Sequence, residues 1–157
     1  VARRPPSDDP AAVRTRALRL LGWREHSARE LRQKLEQRGF DGERAAAAVD
    51  TLAKAGWQSD ERYVDSLIRS RVAQGYGPLR IKSELEAAGV AMALIRDNLA
   101  AAEVDWKEVV TTVWTRKFGG PPSGAADWQK QYRYLAGRGF EAAQIRAVLK
   151  GDIDTET

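Results

Sequence analysis

Apolar positions recur at helical spacing along this chain, and the segments that carry them recur as well. LRQKLEQRGF begins at Leu31, IKSELEAAGV at Ile81 and QYRYLAGRGF at Gln131. Leu35, Leu85 and Leu135 stand 50 residues apart, as do Gly39, Gly89 and Gly139, and Phe40, Val90 and Phe140. The register continues through Ala45, Ile95 and Ile145, then Val49, Leu99 and Leu149. Five columns in one register mark an internal repeat, and a period of this length is typical of stacked helical units.

Each unit reads as three helices. In the first, Pro10 suits an N1 position, and Ala17, Leu18, Leu20 and Leu21 supply an apolar face. Ser27-Ala28-Arg29-Glu30 reads as a capping box opening a second helix that buries Leu31 and Leu35 and stops at Gly39. Asp41 caps a third, alanine-rich helix running to Gly56. Ser59 caps the first helix of unit two; its second runs from Gly77-Pro78 to Gly89. Unit three starts after Asp105, its second helix stops at Gly139 and its third at Gly151, and the loop at 119–124 separates its first two helices. No segment alternates like a strand, so the fold class is all-α: three tandem three-helix repeats of about 50 residues.

The expected boundaries are 15–58, 59–104 and 105–151, with a disordered tail at 1–14 leading into the first helix and another at 152–157. Three short helices make little core alone, so neighbouring units must share contacts, which favours an elongated, curved array.

Composition narrows the function. The 157 residues include no cysteine and one histidine, His26, which excludes disulfide scaffolds, thiolate catalysis and multi-histidine metal sites. No apolar run reaches the ~18 residues of a membrane span, and the start has no signal-peptide core, so a soluble cytoplasmic protein is expected. Paired acids such as Asp60-Glu61 fall at a helix start, where they favour the macrodipole. No nucleophile, base or metal cluster passes as an active site, and the expectation is a binding protein without cofactor rather than an enzyme. The net charge of +4 is uneven: residues 60–105 carry six basic against eight acidic groups, while 106–151 carry a net +5. Two basic ends around an acidic middle suit a polyanion or a mixed-charge protein surface.

Lys130, Tyr134 and Arg138 form one stripe beside Leu135, widened by Tyr132 and Arg133. Such a stripe can neutralise phosphates and stack on bases, or Tyr134 can simply pack on a neighbouring helix. Arg71 falls inside the apolar stripe of Val64, Leu67, Ile68 and Val72, so it meets either an acid of its own unit or a partner. His26 precedes an N-cap and reads as a capping or surface residue. Most of the five tryptophans should be packing residues; Trp128, after the Gly/Pro loop, is the one expected to make outside contacts.

Together these residues resemble the RecX family, bacterial regulators of the RecA recombinase. The resemblance runs through Ala17-Leu18 and Leu21, Arg24-Glu25-His26-Ser27, Glu30-Leu31, Lys34-Leu35 and Gly39-Phe40. It continues through Asp60-Glu61-Arg62-Tyr63, Arg69-Ser70-Arg71, Gly75-Tyr76-Gly77-Pro78, Arg80-Ile81, Tyr134-Leu135 and Arg138-Gly139-Phe140, covering about residues 15–151. It implies a monomer that binds RecA and its single-stranded-DNA filament, lodges in the filament groove, and inhibits strand exchange, ATP hydrolysis and co-protease activity. It also implies contact with single- or double-stranded DNA. The candidate contacts are Arg24, Lys34, Arg38, Arg69, Arg71, Arg80, Lys82, Lys130, Arg133, Tyr134 and Arg138. The alternative is a helix-turn-helix transcription regulator, although no single recognition helix is evident.

Overall fold

A computed structural model describes residues 9–150. Among the described residues there are nine α-helices and no strand. They group as the repeat predicts: α1 Pro10–Trp23, α2 Ala28–Gln37 and α3 Gly42–Lys54; then α4 Asp60–Ala73, α5 Pro78–Ala87 and α6 Met92–Ala101; then α7 Trp106–Lys117, α8 Ala125–Gly137 and α9 Ala142–Leu149. Helix α1 starts at Pro10, the N1 position expected for it, and so ahead of the expected repeat boundary at 15. Asp9 accepts from the Ala11 N–H and Pro10 takes the first helical position, so residues 10–14 belong to the helix and not to a tail. Residues 1–8, the tail at 152–157 and the helix stop expected at Gly151 lie outside the described residues.

The side-chain caps follow the sequence. Ser27 Oγ accepts from Glu30 N, Asp41 from Arg44 N, Ser59 from Arg62 N and Asp105 from Glu108 N. The capping box at Ser27 is only half formed, because the Glu30 carboxylate turns to Arg24 and Tyr63 instead. Glu141 opens α9 with a reciprocal bond, its N–H donating to Gln144 Oε1 at 2.8 Å.

The fold resolves into two compact units, and the middle repeat is divided between them. Of the described residues, one joins 9–66 with Leu85–Asn98, and the other joins Leu67–Glu84 with 99–150. In the first, Val13, Ala17, Leu31, Leu35, Phe40, Ala45, Val49 and Leu52 form one buried cluster. In the second, Val110, Leu135, Phe140, Ile145 and Leu149 do so, flanked by Trp106, Trp114, Trp128 and Tyr132. At the Leu31 and Ile81 position of the register the third repeat has a buried polar residue, Gln131. Its Oε1 accepts from the Trp114 indole at 2.9 Å, and its Nε2 donates to the Gly120 carbonyl and to Asp127, both at 3.3 Å. A buried amide with its partners met costs little, and here it ties the loop at 119–124 to α8.

Inside each unit, the start of one repeat's second helix meets the end of the next repeat's second helix. In the first unit Ser27 Oγ donates to the Ala88 carbonyl at 2.7 Å, and a Cβ added to Gly89 would lie 2.9 Å from Arg29 Cβ. In the second, Gly77 N and Leu79 N donate to the Arg138 and Gly139 carbonyls at 2.8 and 2.9 Å. Helix α5 contributes unpaired N–H groups and α8 unpaired C=O groups, so each end satisfies the other. Gly89 and Gly139 hold φ of 78° and 96°, the left-handed turn that ends a helix, and each lacks room for a side chain. A methyl on Gly139 would lie 2.5 Å from Arg80 Cβ. Gly139→Ala should therefore lower stability by roughly 2–4 kcal/mol in urea unfolding, from backbone strain plus overpacking. Gly22→Ala, in α1 with nothing within 4 Å of the added methyl, should raise stability by about 0.5–1 kcal/mol.

Candidate functional site

The sequence-predicted contact residues divide into cations already held within the fold and cations left open. In the first unit, Arg24 Nη2 lies 2.6 Å from Glu30 Oε1. Lys34 Nζ lies 4.0 Å from the same oxygen and 3.2 Å from His26 Nε2. Arg38, one turn beyond Lys34 at the end of α2, is exposed. In the second unit, Arg71 reaches the acid that one of its two readings required. Its Nε lies 2.7 Å from Glu84 Oε2, and Arg80 lies 3.4 Å from the other Glu84 oxygen. Arg69 is exposed and Lys82 is half-buried.

The unit-three stripe divides along its length. Lys130 and Arg133 are exposed. Tyr134 is half-buried; its ring meets Phe118 edge-on at 5.5 Å and lies 5.0 Å from Lys117 Nζ. Tyr132 stacks on Trp128 at 5.2 Å and packs on the buried cluster, so it does not widen an exposed patch. Arg138 folds back on the turn before α5. It donates to the Gln74 and Gly75 carbonyls, and its guanidinium lies 4.0 Å over the Tyr76 ring. Arg80 covers Tyr76 as well, at 4.2 Å. With its donors committed to carbonyls and its face to the ring, Arg138 closes a joint in the fold.

A cleft of about 600 Å³ opens beside this joint within the second unit. Val72, Val109, Val113 and Tyr134 form its apolar lining. Asp105 and Glu108 line it at the start of α7, and Arg116 and Lys117 at the end, where the helix dipole favours each sign. Arg116 has no ion-pair partner among the described residues. The sequence reading missed Arg116 and Lys117, although a basic pair closing a helix just before Phe118-Gly119 was a visible signal.

Two other expectations are corrected. Trp128 packs inward, whereas Trp23 and Trp57 are 84% and 58% exposed. His26 is buried, not at the surface. Its Nδ1 lies 2.9 Å from the Arg24 carbonyl, which only accepts, so Nδ1 carries the proton and Nε2 takes a hydrogen bond from Lys34. Gln58, itself buried, donates to the His26 carbonyl at 3.2 Å and to Asp60 at 3.0 Å. Asp60 also accepts from the Ala28 N–H at 2.8 Å, locking the start of α2 to the start of α4.

With this geometry in view, family models for the first, second and third three-helix domains of RecX match residues 14–52, 59–99 and 103–149. The chain belongs to the RecX family. A regulatory protein RecX from Acidithiobacillus ferrooxidans is 45% identical over 142 residues, 90% of this chain and 89% of that one. One from Pseudomonas putida is 44% identical over 149 residues, covering 94% and 96%. The crystal structure of RecX from Lactobacillus salivarius shares the fold at 20% identity, with a TM-score of 0.75 over 91% of this chain and 96% of that one. The family is one of regulatory proteins, not of enzymes. No described helix is long and apolar enough to cross a membrane.

The buried histidine yields a test. Burial, with help from the Arg24 and Lys34 charges, holds its pKa below the ordinary 6.5, against the opposing pull of the Arg24 carbonyl and Glu30. The unfolded chain then binds the proton first. The stability from neutral His26 is full above pH 6.5 and is lost as pH falls through the lower folded value. Because the chain has one histidine, a single imidazole resonance followed by NMR should titrate below 6.5. A midpoint at or above that value would contradict the geometry.

Proposed function

We propose that this chain binds the RecA recombinase and its single-stranded-DNA filament and inhibits strand exchange, ATP hydrolysis and co-protease activity, seated in the filament groove. The observation that carries the reading is the succession of three RecX three-helix domains along nearly the whole described chain. Relatives about 45% identical over nine-tenths of its length bear the name of RecX regulatory proteins, which adds support.

In this reading the working groups are the cations that the fold leaves open. Arg38, Arg69, Lys130 and Arg133 are exposed, and Arg116 stands at one end of the cleft. They suit an anionic surface of protein and nucleic acid together, because an open cation can give up its water and counterions to a new partner. Arg71, Arg80 and Arg138 have a lesser part, since their guanidinium groups already hold carboxylates, carbonyls or a ring.

RecA ATPase on single-stranded DNA, measured with increasing amounts of this protein, should fall to a plateau. The double variant Lys130→Ala, Arg133→Ala should keep its fold and inhibit less. Its salt dependence should flatten by about one unit of slope for each phosphate that the two side chains neutralise in the wild type. Unchanged ATPase at saturating protein, or tight sequence-dependent duplex binding that needs no RecA, would contradict the reading.

A further inference from the structure

Trp23 and Trp57 are the two most exposed aromatic side chains whose surroundings the fold fixes, at 84% and 58%. Trp23 ends α1, and Trp57 follows the turn after α3. Arg62 brings them to one edge of the first unit: its Nη2 donates to the Trp57 carbonyl at 3.1 Å and its Nε to Glu25 Oε1 at 3.0 Å, two residues past Trp23. The fold does not require either ring. In the 50-residue register Trp23 corresponds to Ala73 and Ser123, and Trp57 to Lys107. An indole left in water at such positions loses the burial that normally justifies tryptophan, and it is the residue type most enriched at the centre of protein interfaces.

Charge identifies the kind of partner. Two of the cations beside the rings are already neutralised, Arg24 by Glu30 at 2.6 Å and Arg62 by Glu25 at 3.0 Å. Single-stranded nucleic acid is held by stacking rings together with a row of open cations along the backbone, and here a single open cation, the exposed Arg19 one turn before Trp23, accompanies the two rings. We propose that Trp23 and Trp57 anchor a protein–protein contact. The partner is a folded surface with apolar pockets that take the indoles, carbonyl acceptors for their N–H groups, and a rim of mixed charge that meets the Arg24–Glu30 and Arg62–Glu25 pairs. The proposal rests on the filament-binding reading, within which it assigns this edge to the protein component of the filament and not to its DNA.

The test compares wild type, Trp23→Ala, Trp57→Ala and the double variant for binding to RecA–single-stranded-DNA filaments, and separately to oligo(dT). Each single variant should keep its helical signal and melting temperature, bind the filament on the order of tenfold more weakly, and bind oligo(dT) as wild type does. Trp→Phe at either site should recover part of the loss. Wild-type-like filament binding by the double variant would overturn this proposal alone, whereas a wild type that binds no filament would overturn both readings. A parallel loss on oligo(dT) would make the rings stacking platforms, and a loss of helical signal would make them core; either result overturns the proposal.

Discussion

The constraint on which the structure depends is the seating of one helix's start on the glycine turn that ends a helix one repeat later. Both ends need it. The N–H groups opening α5 and the carbonyls closing α8 have no partners inside their own helices, and each set supplies what the other lacks. The contact is close enough that no side chain fits at Gly89 or Gly139, which is why glycine stands there for steric as well as conformational reasons. Ser27 is buried for the same reason, since its hydroxyl both caps α2 and reaches the Ala88 carbonyl.

The third repeat departs from this pattern. Helix α8 has 13 residues where α2 and α5 have 10, so Asp127, at the register position of Ser27 and Gly77, lies inside the helix and not at its start. Its carboxylate instead accepts from Ser123 N at 3.0 Å and from Gln131, holding the Gly/Pro loop against the helix. The third repeat therefore offers no helix start of the kind the first two use.

Much of the architecture was legible because each signal was local. Ser27, Asp41, Ser59 and Asp105 cap where their sequence contexts indicate, and the five register columns lie largely in buried positions. The site was less legible because tertiary pairing decides whether a charge is available. Arg71 and Arg138 look alike as basic groups on helices, and so do Lys130 and Arg133. Only the fold shows that the first two are committed to Glu84 and to the Gln74–Gly75 turn while the others face water. His26 and the tryptophans were misjudged for the same reason, since burial of a residue at a helix end depends on what the next repeat places over it.

A division of labour follows, in which committed guanidinium groups hold the fold and open ones remain for a partner. Arg138 and Arg133 lie five residues apart across the end of α8 and represent the two classes. Urea unfolding of Arg138→Gln and Arg133→Gln tests the division directly. Removing the hydrogen bonds to the Gln74 and Gly75 carbonyls and the stacking on Tyr76 should lower stability by roughly 1–3 kcal/mol. The Arg133 change should stay within about 0.5 kcal/mol. Equal effects, or a larger loss at Arg133, would contradict the account.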